Sequence, residues 1–204
     1  WRTLSSNESL PWSEALIQRY EDEWTWNSQS GLSDSLNENC SLPWSELLIE
    51  RFEHRWDWRL LSRNVSLSWS ETLIDQFDDK WNWISLSENV SLPWSEALIE
   101  RYEDKWFWSS LSRNESIPWT EGLIERYEDK WNWGSPRNRR DDSLSGNEAI
   151  PWSDALIERY EHKWYWGSNF RHYHNSLSTN KSLPWSEALV YRYEHRWQWK
   201  QLTN

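Results

Sequence analysis

The stretch WISLSENVSLPWSEALIERYEDK, residues 83–105, decides the fold, because nearly the same residues return along the whole chain. Tryptophans separated by one residue stand at Trp24 and Trp26, Trp56 and Trp58, Trp81 and Trp83, Trp106 and Trp108, Trp131 and Trp133, Trp164 and Trp166, and Trp197 and Trp199. A third member of each set lies at Trp12, Trp44, Trp69, Trp94, Trp119, Trp152 and Trp185, and Trp1 is in phase with the second pair members. Second members follow one another at spacings of 25, 32, 25, 25, 25, 33 and 33 residues, so the unit is 25 residues with three insertions. The units run 1–25, 26–57, 58–82, 83–107, 108–132, 133–165 and 166–198, with a partial unit at 199–204. The extra residues, at about 27–35, 134–142 and 167–175, always enter just after a tryptophan pair, which marks that point as a surface loop.

A fixed period of this length is the signature of stacked supersecondary units, and the expected fold is a mainly α solenoid of about seven repeats. Trp94, Leu98, Tyr102 and Trp106 recur at four-residue steps with Ile99 beside them, which predicts a helix from Pro93 to Lys105. Ser68 to Glu71 has the form of a capping box, and in other copies a proline with an acidic first turn marks the start. Lys80, Lys105, Lys130, Lys163, Arg55 and Arg196 are placed to favour the helix C-terminal dipole. The remaining segment, W-x-x-L-S-x-N, reads as a second short helix or 3₁₀ turn. Thr25, Asp57, Asn82 and Asn132 would be its caps, and Asn7, Asn39, Asn64, Asn89, Asn114, Asn147 and Asn180 left-handed stops. The rival reading makes W-x-W a short strand in an α/β solenoid. All the paired and third tryptophans are assigned to the structural core, with indoles of adjacent copies expected to wedge together so that no copy is stable alone.

This pattern resembles the tryptophan-rich tandem repeats, W-x-W-x-x-L-S-x-N followed by a short W-[ST]-[DE] helix, of uncharacterised bacterial and giant-virus proteins. The resemblance covers essentially the whole chain and implies a repeat scaffold without assigning an activity. A likeness to leucine-rich repeats fails, because Arg59 and Ser66 stand where that family needs apolar residues.

A formal charge of −11 opposes phosphate backbones and anionic lipid, so neither nucleic acid nor membrane is the expected partner. The residue between paired tryptophans varies, as a repeat code would require, but the surrounding charge has the wrong sign. No apolar run approaches the roughly 18 residues that span a bilayer, and no signal peptide is read, although the chain opens on Trp1. Cys40 is the sole cysteine and fills a variable repeat position, leaving the compartment open.

Carboxylates such as Glu14, Glu46, Glu71, Glu96, Glu121, Asp154 and Glu187 recur in every unit, whereas a catalytic pair belongs once, on a site unlike its surroundings. They read as solvated helix face. Arg19, Arg51, Arg101, Arg126, Arg159 and Arg192 read as partners of nearby glutamates or as cations over indoles. Non-repeated chemistry sits in two insertions: Arg137, Arg139 and Arg140 in one, and Phe170, Arg171, His172, Tyr173 and His174 in the other. These are the candidate partner-binding residues. His172 and His174 supply two metal ligands at most, so no metal or cofactor is assigned, and His54, His162 and His195 read as surface variants. The expected function is a non-enzymatic scaffold for protein–protein interaction. Self-assembly through uncapped ends, as a filament or ring subunit, and stacking of sugars on exposed indoles are the alternatives.

Overall fold

The computed structural model describes residues 1–27, 35–135, 143–167 and 176–202. The chain is a mainly α repeat solenoid; among the described residues there is no strand, so W-x-W is not the short strand of the rival reading. It divides into two compact halves, Trp1–Pro93 and Trp94–Asn204, each considered by itself.

Every complete unit carries a six-residue helix that begins two residues after its third tryptophan. These are Glu14–Arg19, Glu46–Arg51 and Glu71–Gln76 in the first half, and Glu96–Arg101, Glu121–Arg126, Asp154–Arg159 and Glu187–Arg192 in the second. The helix expected over Pro93 to Lys105 is therefore shortened at both ends. Ser95, extended at φ −148° and ψ 158°, begins it, and its Oγ accepts the Leu98 N–H at 3.0 Å. That bond satisfies one of the amides that a helix start leaves orphaned. In the copy with Ser68, the cap is likewise Ser70, so the Ser68–Glu71 box does not form, and Ser68 Oγ instead donates to the Trp44 carbonyl at 3.5 Å. At the far end Tyr102 leaves helical geometry at φ −116° and ψ 29°, and the chain turns with Lys105 N–H on the Tyr102 carbonyl at 2.8 Å. Arg101, not Lys105, is therefore the basic residue in the last helical turn.

The other element of the unit depends on whether an insertion is present. Uninterrupted units form a short helix, Trp58–Leu61, Trp83–Glu88 or Trp108–Arg113, whereas at the same place the described residues of the three inserted units form a 3₁₀ turn, Leu36–Glu38, Leu144–Gly146 or Leu177–Thr179. One hydrogen bond explains how both forms fit one fold. The leucine N–H bonds the carbonyl of the residue between the paired tryptophans in every case: Leu61 to Asp57 at 2.9 Å, Leu111 to Phe107 at 3.1 Å, Leu36 to Thr25 at 2.9 Å, Leu144 to Asn132 at 2.7 Å. An insertion thus replaces the first helical turn and rejoins at the same bond. Asp57 and Asn82 cap their helices as expected, but the Asn132 carboxamide accepts from Gly134 N–H, because in that unit the helical turn it would cap is gone.

The repeated asparagines are not left-handed stops. Asn89 is extended at φ −75° and ψ 121°, and among the described residues no residue other than glycine has positive φ. Their side chains tie one unit to the one before. Asn64 Nδ2 donates to the Asn37 carbonyl at 2.7 Å, Asn89 Nδ2 to those of Ser62 and Asn64 at 3.0 and 3.2 Å, and Asn180 Nδ2 to those of Ser145 and Asn147 at 3.2 Å. The other end of each carboxamide closes an Asx turn, as Asn89 Oδ1 does with Ser91 N–H at 2.9 Å. Two residues earlier a serine forms a second rung. Ser62 Oγ donates to the Trp58 carbonyl at 2.5 Å and accepts Asn82 N–H at 3.0 Å. Asn37 stands in for that serine in the second unit, donating to the Trp26 carbonyl and accepting Asp57 N–H. The ladder side chains of Asn37, Ser62, Asn64, Asn89 and Asn180 are buried, where an unpaired polar group is costly.

Aromatic packing runs the other way. Trp58, Trp69, Phe77 and Trp81 form one cluster in the first half, and Trp108, Trp119, Tyr127 and Trp131 form its counterpart in the second. The two paired-type indoles of a cluster meet edge to face, at 4.8 Å in both. Within each half, and among the described residues, no ring pair joins one unit to the next. The expectation that indoles of adjacent copies interlock is therefore corrected: rings close the unit on itself, and amide ladders join the units. The reason is reach, since a unit returns on itself within 25 residues and brings its own second indole back against its tyrosine or phenylalanine.

Core indoles also spend their single N–H internally. Trp56, Trp81, Trp106 and Trp131 donate to the carbonyls of Ile49, Ile74, Ile99 and Ile124 at 3.1 to 3.2 Å. Trp44 and Trp119, from the third set, donate to Asn39 and Asn114 carbonyls at 3.1 and 3.0 Å. Two tryptophans assigned to the core are exposed instead, Trp185 at 38% and Trp199 at 52%. Trp199 opens the partial unit at 199–204, and Trp185 meets Trp197 with ring centroids 4.9 Å apart.

Candidate interaction surface

The insertions leave the solenoid at one fixed phase. Gly134 and Gly167 both follow a paired tryptophan and hold positive φ, 102° and 118°, a conformation that glycine adopts without a steric penalty. After the insertion the chain rejoins through buried Ser143 and Ser176. The two roots adjoin: Tyr165 N–H bonds Ser145 Oγ at 2.8 Å, the turns Leu144–Gly146 and Leu177–Thr179 pack together, and a β-carbon on Gly134 would lie 2.8 Å from Tyr165 Cβ. Gly134→Ala should therefore cost about 1 to 3 kcal/mol and disturb both roots. By contrast Gly122→Ala, in the helix Glu121–Arg126 with only Thr120 Oγ1 within 4 Å, should add about 0.5 to 1 kcal/mol. Urea titration of the two variants should show shifts of opposite sign.

Arg137, Arg139, Arg140, Phe170, Arg171, His172, Tyr173 and His174 lie outside the described residues. What the structure fixes is where their loops begin and end. Among the described residues no group of three His, Cys, Asp or Glu side chains could hold a metal ion. Cys40 is an exposed free thiol.

Carboxylates on the solvated helix faces form rows between units, and the glutamates that pair with the arginines lie one unit away in the chain. Arg126, Arg159 and Arg192 reach Glu100, Glu125 and Glu158 at 3.2, 3.6 and 3.2 Å. A second row pairs Arg55 with Glu21 at 3.0 Å, Lys80 with Glu53, Lys130 with Glu103, Lys163 with Glu128 at 2.5 Å and Arg196 with Glu161 at 2.6 Å. The same cations cover the half-exposed indoles of their own units: Lys80 lies 5.6 Å from Trp58 and Lys130 5.2 Å from Trp108. The hydrogen bond to Glu128 raises the Lys163 pKa, while burial, followed by the charge of Glu103, raises that of Tyr127. Both shifts favour the protonated form, so neither group becomes a base near neutrality. A third row joins helix caps to the preceding unit, with Ser70 Oγ and Thr120 Oγ1 donating to Glu46 and Glu96 at 2.8 Å. An open groove of about 450 Å³ along Glu100, Glu103, Arg126 and Lys130 is lined by these paired charges.

Compared with protein-family models, curated proteins and solved structures, the chain matches none of them. No helix among the described residues is long and apolar enough to cross a membrane.

Proposed function

We propose that the array is a non-enzymatic scaffold for protein–protein interaction, and that the loops at 134–142 and 167–175 are its contact sites. The observation that supports this reading is the adjacency of the two loop roots, from which an arginine-rich insertion and one rich in aromatics and histidine depart. Both insertions carry net positive charge on a chain of net charge −11, so an acidic protein surface is the partner they favour. Ladder-held units behind them supply a rigid base, and rigidity lowers the ordering cost of binding. The repetition of the carboxylate rows supports the non-enzymatic half of the reading, since ion-paired acids recur without a distinct cluster.

The test shortens each insertion to the two residues that separate Trp83 from Leu86 in an uninterrupted unit. The helical circular dichroism should stay within about 10% of wild type, because surface insertions cost little to remove. Cross-linked partners seen with wild type should be lost from the shortened chain and from the Arg137/Arg139/Arg140→Ser triple variant. Full retention of every partner by both variants refutes the loop assignment.

A further inference from the structure

The asparagine ladder is also a chemical pattern. Asn39-Cys40-Ser41, Asn64-Val65-Ser66, Asn89-Val90-Ser91, Asn114-Glu115-Ser116 and Asn180-Lys181-Ser182 have the form N-x-S with x other than proline, the acceptor triplet of N-linked glycosylation. In that transfer Nδ2 attacks the anomeric carbon of a sugar held on a lipid diphosphate. The C–N bond forms, the bond from sugar to phosphate breaks, the lipid diphosphate leaves with the electron pair and Nδ2 gives up one proton. Such an acceptor belongs on an open surface, because the sugar is bulky and strongly hydrated. These five asparagines are instead 2 to 7% exposed. Asn39 Nδ2 donates to the Ser5 carbonyl at 2.8 Å, and Asn89 and Asn180 Nδ2 each donate to two carbonyls of the preceding unit.

The serine separates the two uses of the triplet. Ser91 contributes its N–H to the turn on Asn89 Oδ1 at 2.9 Å, and where alanine stands in its place Ala149 N–H bonds Asn147 Oδ1 at the same 2.9 Å. Asn147 Nδ2 still reaches the Ser112 carbonyl at 3.0 Å. Stacking therefore needs the carboxamide and the backbone amide two residues on, whereas the hydroxyl that completes an acceptor triplet is surplus to it. Ser41, Ser91, Ser116 and Ser182 are exposed. We propose that Asn39, Asn64, Asn89, Asn114 and Asn180 are N-glycosylation sites gated by stacking: sugar is transferred to them while units are unstacked and not in the finished array. The same nitrogen serves both purposes, so the two states exclude each other. A sugar on Asn64, Asn89 or Asn180 removes a rung and sets a hydrated group where two units meet, which keeps that unit from stacking.

The full chain tests this with an oligosaccharyltransferase that reads N-x-S and its lipid-linked sugar, added either to the folded chain or to chain being diluted out of urea. A peptide of residues 86–92 in each mixture reports that the enzyme is active. Peptide mapping by mass should find at least about tenfold more sugar on the five asparagines when the enzyme is present during refolding, because local opening of the folded array is rare. Chains bearing sugar at Asn89 should lose hydrogen-exchange protection in residues 62–91. Ser91→Ala should keep the urea midpoint of wild type, because Ala149 closes the same turn, while its Asn89 takes up no sugar in either arm. Equal occupancy in both arms, no sugar at any of the five sites beside a modified peptide, wild-type protection in chains glycosylated at Asn89, or a Ser91→Ala midpoint lowered as far as that of Asn89→Ala would each overturn the proposal. The chain with shortened loops should behave as wild type in both arms, which separates these sites from partner capture by the loops.

Discussion

Trp131→Ala should destabilise its region by about 3 to 5 kcal/mol, the largest effect expected of any single substitution in the array. The indole is 4% exposed, meets the rings of Trp108, Trp119 and Tyr127, and donates to the Ile124 carbonyl at 3.2 Å. Truncation removes those contacts, opens a cavity bounded by rigid rings that collapse poorly, and leaves a buried carbonyl unpaired. Trp131→Phe keeps part of the ring surface and should cost roughly half as much. Because the cluster lies within one unit, hydrogen exchange should accelerate first in residues 108–132, with distant units responding less. Uniform acceleration along the chain would instead mean that the aromatic cores act as one.

Asn89→Ala should cost about 2 to 4 kcal/mol, although it removes only a small polar side chain. The Asn64 carbonyl retains Trp69 Nε1–H at 2.9 Å, but the Ser62 carbonyl and the Ser91 amide lose the partners seen at 3.0 and 2.9 Å. Asn89→Asp adds a diagnostic pH dependence. The introduced carboxylate would face two carbonyl oxygens in a buried site, which raises its folded pKa above the unfolded value of about 3.9. Below that unfolded value the acid is protonated in both states and can donate one bond, so the deficit relative to wild type is smallest there. The deficit grows as pH rises through the raised folded pKa and is complete at neutrality. Chemical denaturation of variant and wild type at matched pH values checks this. A pH-independent difference would show that the carboxamide is not the bond between turns.

Much of the fold is legible in the sequence. Indole spacing fixed the unit and its insertions, and Leu98 with Ile99 on a helical stripe placed an apolar helix face. The misreadings have one physical origin. Trp94, Tyr102 and Trp106 are in helical phase, which predicts a helix running from Pro93 to Lys105. Those rings lie together, however, because the chain turns at Tyr102 and folds Trp106 back onto Trp94, with centroids 5.1 Å apart. Asn64 and Asn89 were read as local stops because periodicity reports neighbours along the chain, whereas their partners are carbonyls 25 to 27 residues away. One signal could have found the ladder: an asparagine followed two residues later by serine in six of the seven complete units, with serine or Asn37 always two before it. A left-handed stop needs neither companion.

For the candidate contact surface, sequence supplied the loop residues and the phase at which they enter. It could not say that Gly134 and Tyr165 touch. Periodicity by itself determined that this chain is an array of repeated units, because large apolar rings at a regular spacing need a recurring structure to bury them, and it left W-x-W open between helix and strand. Only the tertiary structure decided which forces hold which level: rings close each unit, while amide, serine and ion-pair rows fasten one unit to the next. Distance along the chain hides that division, since donors and acceptors one full turn apart become neighbours only after the backbone has wound around.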